Sequence, residues 1–287
     1  MVYPEAVTLI SAANLARRLD EPGVRVADVR WFLGEPERGR AAYEDGHIPG
    51  AVYVDLDRDL AAPSGPGRHP LPDPAAFAAR MGELGFGSDD LVVAYDDAFG
   101  TIAARLWWML DNLGHDHVAV LDGGLKAWRD AGLPIETGPG TPAAPREMRL
   151  GASWTGTVDR DALVDRLDKV ALLDARVAER YRGDVEPVDP QAGHIPSAIN
   201  APARIALSED GRFLGPNELA SKLRQVAPDG RPVVASCGSG VTACHTILAF
   251  RVAGLKDPTL YPGSFSDWSR SDRPVATGEA PGSLEGD

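Results

Sequence analysis

The chain has 287 residues, 44% hydrophobic and 25% charged, which is the make-up of an ordinary globular protein able to bury one large core or two medium ones. Forty-two acidic against twenty-nine basic residues give a formal charge of −13, which repels a phosphate backbone and argues against nucleic acid as a partner. Two cysteines seven positions apart, Cys237 and Cys244, make no disulfide framework; with no leader-like N-terminus and no apolar run of membrane-spanning length, the expected compartment is the cytoplasm and no membrane partner is expected.

Read from the start, the chain gives Val26-Ala-Asp28-Val-Arg30, then Ala42-Tyr43, then Gly46-His47-Ile48-Pro49-Gly50-Ala51. The run Leu91–Tyr95 follows, with a helix-length apolar segment through Trp107 and Trp108, and then Gly123 and Trp128 five residues apart. Residues 136–154 carry Pro139, Pro142 and Pro145 with Gly138, Gly140 and Gly151, a composition suited to an extended connection. The series then repeats as Leu173-Asp174-Ala-Arg176, Arg180-Tyr181, Gly193-His194-Ile195-Pro196-Ser197-Ala198, Val233–Ser236 with an apolar segment through Phe250, and Gly263 with Trp268.

Short apolar runs followed by helix-length segments predict buried parallel strands alternating with helices, so the fold class is α/β. The repeat divides the chain into an N-terminal domain (1–137), a linker (138–154), a C-terminal domain (155–278) and a small, polar, acidic tail (279–287) expected to fray. Because His47 and His194 recur in both halves, a structural role is expected for them.

The Gly and Trp pairs align at an offset of 140, which sets Asp97 opposite Cys237. Only the C-terminal half therefore carries the loop Ser236-Cys237-Gly238-Ser239-Gly240-Val241-Thr242-Ala243, placed after a strand and before a helix. The bland reading of a lone cysteine is an inert core residue. The small residues argue otherwise, since they let the backbone curl so that N–H groups and a helix N-terminus face the sulfur. Such surroundings lower a thiol pKa from about 8.5 to about 3.5–7.5 and so supply the nucleophilic thiolate at neutral pH.

The Asp-x-Arg strand ends, the paired Gly-His-Ile-Pro turns and the Cys237 loop, in this order over nearly the whole chain, resemble the rhodanese sulfurtransferases, in particular the tandem-domain thiosulfate and 3-mercaptopyruvate enzymes. The resemblance implies two tandem rhodanese-like domains, each a central parallel sheet flanked by helices, of which only the C-terminal one is catalytic. It implies a persulfide on Cys237, a small anionic sulfur donor, a thiol or cyanide acceptor, with a thioredoxin-like protein as one candidate, and no cofactor.

The loop Cys237-Gly238-Ser239-Gly240-Val241-Thr242 is similar to that of the mercaptopyruvate branch. There a serine, an aspartate and a histidine assist the thiol, and the matching positions are Ser239, Asp57 and His69. Arg180 matches an arginine that binds the donor anion, and Gly238, Gly240, Val241 and Thr242 complete the substrate-binding loop. The branch carries a second arginine nine positions after the first, where this chain has Asp189; the expected clamp on a carboxylate is then reduced, with Arg182 as a possible substitute.

Two rivals are weighed against this reading. A cysteine phosphatase needs an arginine six positions after the cysteine, where Ala243 stands. A non-catalytic binding module suits the half without the cysteine but not the Cys237 loop. Cys244 is expected to pack in the core, with a resolving role as the minor alternative, and no HExxH, paired CxxC or P-loop pattern supports a metal or nucleotide site.

Overall fold

The apolar runs Leu91–Tyr95 and Val233–Ser236 are inner strands of two separate parallel sheets in the computed structural model, which describes residues 8–227 and 230–284. The first unit comprises residues up to Pro63, Leu71–Thr155 and Glu209–Arg212; the second comprises Ser64–Pro70, Gly156–Ser208 and the chain from Phe213 onward.

The first unit contains, in chain order, β1 (Leu9–Ile10), α1 (Ala12–Arg18), β2 (Val24–Asp28), α2 (Arg38–Asp45), β3 (Val52–Tyr53), α3 (Leu56–Asp59), α4 (Pro74–Glu83), β4 (Leu91–Tyr95), α5 (Ala103–Asn112), β5 (Val118–Leu121) and α6 (Gly124–Asp130). Its sheet runs β1-β5-β4-β2-β3, every pair parallel. Each residue of β4 is buried, as expected of a strand covered on both faces by helices. Helix α4 starts where Asp73 accepts the N–H groups of Ala75 and Ala76 at 3.0 Å and Pro74 fills the first helical position, where no N–H is needed.

The second unit contains α7 (Arg160–Val164), β6 (Ala171–Asp174), α8 (Ala178–Arg182), β7 (Ile199–Asn200), a 3-10 turn (Ala203–Ala206), α9 (Pro216–Val226), β8 (Val233–Ser236), α10 (Thr242–Val252), β9 (Thr259–Leu260) and α11 (Ser264–Trp268). Its sheet runs β7-β6-β8-β9, again all parallel. A parallel bridge between Thr157 and Leu260 takes the place that β1 holds beside β5 in the first unit.

The repeated motifs build the same bracket twice. At the end of β2, Arg30 pairs with Asp28 at 2.6 Å and donates to the Gly46 carbonyl at 2.9 Å; at the end of β6, Arg176 pairs with Asp174 at 2.7 Å and donates to the Gly193 carbonyl at 2.7 Å. His47 stacks on Tyr43 with ring centroids 3.9 Å apart and donates from Nδ1 to the Tyr43 carbonyl, and His194 does the same on Tyr181 at 3.7 Å. The tyrosine hydroxyls donate to the carbonyls of Ala51 and Ala198, at 2.7 and 2.6 Å. The tyrosine hydroxyls and histidine Nδ1 atoms thus find partners within the bracket, and the two histidines pack against their tyrosines.

Two segments are more firmly held than their composition suggests. Residues 138–154 form no helix or strand, yet they are bonded to the first unit: Arg146 pairs with buried Asp90 at 2.5 Å, its N–H donates to the Gly82 carbonyl, and Gly151 N–H donates to the Leu113 carbonyl. The tail expected to fray is pinned through Pro281, whose carbonyl accepts the Ser197 N–H at 2.7 Å, and Ala280, whose carbonyl lies 3.1 Å from His194 Nε2. Leu284 of the same tail also packs against the core of the second unit. Residues 285–287 lie outside the described part of the chain.

Candidate active site

Cys237 follows β8 directly, and its loop leads into α10, whose first turn has no capping side chain. The residue is 3% exposed. Its N–H donates to Ser264 Oγ at 3.1 Å, and its carbonyl accepts the Phe265 N–H at 3.0 Å. Gly238 likewise accepts the Ser266 N–H at 2.8 Å, so α11 holds the loop from behind. The chain turns at Gly240, where φ is +76° and a β-carbon would meet the Pro262 carbonyl oxygen at 2.3 Å; only glycine fits.

The first unit shows what this loop design does for an anion, and it corrects the alignment made from spacing. Asp28 pairs in register with Tyr95, and Asp174 with Ser236, so the residue opposite Cys237 is Asp96, not Asp97. The Leu125 N–H donates to the Asp96 carbonyl just as Phe265 does to Cys237. The offset of 140 slipped by one because the stretch from Asp96 to Gly123 is one residue longer than that from Cys237 to Gly263, and Asp97 is exposed. The buried Asp96 carboxylate accepts N–H groups from Ala98, Gly100, Ile102 and Ala103, each at 2.8 Å, and so caps α5 from inside. Burial pushes the Asp96 carboxyl up, against these four bonds, which pull it down.

Around Cys237 the structure brings together the residues singled out by sequence, apart from Asp57. His69 belongs to the Ser64–Pro70 segment that folds into the second unit, and its Nδ1 lies 2.8 Å from Ser239 Oγ, with both side chains buried. That segment is seated by Gly67, at φ +79°, where a β-carbon would lie 2.6 Å from the Gly263 carbonyl, and by the Arg68 N–H donating to Ser266 Oγ at 3.0 Å. Arg180 reaches the loop from α8: a methyl group on Gly238 would lie 3.4 Å from its Nη1. Val241 and Thr242 mark the entry to α10, with Val241 buried.

Asp57 is part of the first unit, near the start of α3, where its Oδ2 accepts from Trp31 Nε1 at 2.8 Å. Arg182 does not substitute for a second clamp, because it pairs with Asp184 at 2.6 Å. Cys244 is fully buried, and its thiol donates to the Gly240 carbonyl at 3.3 Å.

The residues that spacing missed are Arg68 and Arg270. A methyl on Gly238 would lie 2.9 Å from Arg68 Nη2, and both arginines pair with Asp189, whose side chain is wholly buried. Arg180 binds Glu186 with two nitrogens and Asp189 with Nη2 at 3.3 Å. Burial would lift the Glu186 carboxyl, but the bonds from Arg180 and from the Asp189 and Val188 N–H groups hold it below the usual carboxylate range. Burial alone would lower Arg176; Asp174, Glu186 and the charge on Cys237 more than offset it. Arg68 and Arg180 thus bring guanidinium groups up to the cysteine loop. No group of three or more metal-ligating side chains is placed to hold a metal among the described residues.

The Rhodanese-like domain model matches this chain twice, over residues 11–131 and 159–271. The chain belongs to the rhodanese family. This rhodanese is 46% identical over 281 residues to a Pseudomonas aeruginosa protein named "Probable 3-mercaptopyruvate sulfurtransferase", covering 94% of this chain and 98% of the relative. It is 36% identical over 250 residues to the thiosulfate sulfurtransferase of Gallus gallus, covering 86% of each. Among solved structures it is similar to the 3-mercaptopyruvate sulfurtransferase SseA from Escherichia coli, with a TM-score of 0.79 and 31% identity, covering 91% of this rhodanese and 99% of that chain.

Proposed function

We propose that this rhodanese is a sulfurtransferase that carries sulfur on Cys237, taking it from 3-mercaptopyruvate or thiosulfate and passing it to a thiol or cyanide. The observation that carries the reading is the Cys237 loop: a buried cysteine at the start of α10, in a turn only glycine allows, with Arg68 and Arg180 beside Gly238. The Asp96 carboxylate, held by four N–H groups at the corresponding place, supports the same cradle for a thiolate or persulfide.

In the first half-reaction the Cys237 thiolate attacks the donor sulfur. From thiosulfate the S–S bond breaks and sulfite leaves with the electron pair, so no proton is needed. From 3-mercaptopyruvate the C–S bond breaks, the pair leaves on carbon as an enolate, and the proton lost from the donor thiol ends on that carbon to give pyruvate. Ser239 and His69, joined by a hydrogen bond, are suited to move that proton. In the second half-reaction an acceptor thiolate or cyanide attacks the outer sulfur and Cys237 leaves as thiolate.

Arg180, with Arg68, binds the donor anion, and Gly238, Gly240, Val241 and Thr242 shape its seat. For Asp57 the support is the resemblance alone. A cytoplasmic setting and a thioredoxin-like acceptor belong to the same proposal; among the described residues no helix is long and apolar enough to cross a membrane.

The test is the initial rate with each donor, cyanide as acceptor, for wild type and Cys237→Ala. Activity that disappears in the variant is expected, with parallel double-reciprocal lines as donor and acceptor are varied. Activity that persists without the Cys237 thiol would overturn the reading.

A further inference from the structure

The carboxylate of Asp189 is completely buried at the centre of three guanidinium groups. Its Oδ1 accepts from Arg68 Nη1 and from Arg270 Nη1, the latter at 3.4 Å, and its Oδ2 accepts from Arg180 Nη2 at 3.3 Å. The nitrogens left over on the two inner arginines, Arg68 Nη2 and Arg180 Nη1, are the ones that flank Gly238, 2.9 and 3.4 Å from where a methyl group there would stand. Asp189 therefore grips one side of each guanidinium and turns the other toward the cysteine loop.

Charge follows from the same geometry. Arg176 is matched by Asp174, so the seat is made by Arg68, Arg180 and Arg270 against Glu186 and Asp189, three cations and two anions. These leave one net positive charge, which the Cys237 thiolate of the reactive state offsets, so the seat holds a donor by directed N–H groups more than by excess charge. A unit charge a few ångströms away, partly screened, is enough to change anion preference about tenfold, so one carboxylate decides which anion is preferred.

We propose that Asp189 is a positioning residue that sets donor charge: it clasps Arg68 and Arg180 side by side and matches the seat at Gly238 to a monoanionic carboxylate donor over a dianionic one. This deepens, and rests on, the reading of Cys237 as a sulfur carrier. An arginine at this position would add a clamp and attract either kind of anion. The aspartate instead keeps two clamps pre-aligned while removing the excess charge that a dianion would require.

The experiment reads anion binding without turnover. Alkylation of Cys237 by iodoacetamide, which is neutral, is followed with increasing sulfate (dianion) or pyruvate (monoanion), in wild type, Asp189→Asn and Arg270→Gln. In wild type, pyruvate protects at the lower concentration. Asp189→Asn lowers the half-protecting concentration of sulfate relative to that of pyruvate about tenfold, as expected for loss of one nearby charge. Arg270→Gln, at a half-exposed side chain whose loss the fold tolerates, moves the ratio the other way.

A purely structural role would weaken protection by both anions together; an unchanged sulfate-to-pyruvate ratio in both variants overturns the proposal. If Asp189→Asn does not fold, Arg270→Gln decides alone. Failure of the sulfur-carrier reading is seen separately, as wild type inactive with both donors.

Discussion

Asp96 and Cys237 are the same position in two copies of one loop: each follows the inner strand of its sheet, and each carbonyl accepts the N–H of the second residue of the helix behind it. In one copy the loop's N–H groups hold a carboxylate; in the other a cysteine stands at that position. The first unit thus carries a buried carboxylate where the second carries its cysteine.

Removing that carboxylate strands its donors. Asp96→Ala leaves four N–H groups without their acceptor, and at roughly 1–3 kcal/mol for each unsatisfied group the expected loss is at least about 4 kcal/mol. Asp96→Asn, which keeps one acceptor oxygen, loses less. Urea denaturation followed by tryptophan fluorescence measures both, and an Asp96→Ala protein as stable as wild type would contradict the assignment.

Two glycines in the cysteine loop separate binding from folding. Gly238→Ala meets only the movable ends of Arg68 and Arg180, so the protein folds and the donor KM rises about tenfold as the guanidiniums are pushed aside. Gly240→Ala meets the rigid Pro262 carbonyl and needs a left-handed φ, so it lowers the melting temperature and the yield of soluble protein. Equal stability losses in the two variants would count against this division.

The hydrogen bond from Ser239 to His69 matters only where a proton must move. Ser239→Ala is expected to lower kcat with 3-mercaptopyruvate by about 10²-fold, the lower end of general acid–base assistance. With thiosulfate the loss is much smaller, because sulfite leaves unprotonated. Single-turnover rates with each donor decide, and equal losses for both would remove the relay.

Alkaline pH tests the repeated bracket. Burial, followed by the nearby Asp28 and Asp174 charges, pushes Tyr43 and Tyr181 from about 10 to about 12. A folded-state pKa above the unfolded one contributes stability that is complete below pH 10 and lost as pH rises toward 12. Tyr43→Phe and Tyr181→Phe remove that source of alkaline sensitivity, so their denaturation midpoints fall less than wild type between those limits. A wild-type fall no steeper than that of the variants would refute it.

Much of this was legible in the chain because the repeat places rigid polar residues where backbones must be tied. Asp28-x-Arg30 and Asp174-x-Arg176, the two Gly-His-Ile-Pro turns and the Cys237 loop all stand where the spacing put them. What spacing could not resolve was the net one-residue difference in the distance from strand end to the Gly anchors, which exchanged Asp96 for Asp97, since those anchors lie downstream of it. Nor could it place Arg68, which joins Asp189 across 121 positions because Ser64–Pro70 folds into the second unit. Asp189 read alone is a lost clamp; only its three partners show it as an organiser of two others.

The most direct test of the central claim is mass spectrometry of the Cys237 peptide after donor is added without acceptor. The account predicts one additional sulfur atom on Cys237 and none on Cys244, released when cyanide or a thiol is supplied. A Cys237 peptide that stays unmodified while sulfur reaches the acceptor would contradict it.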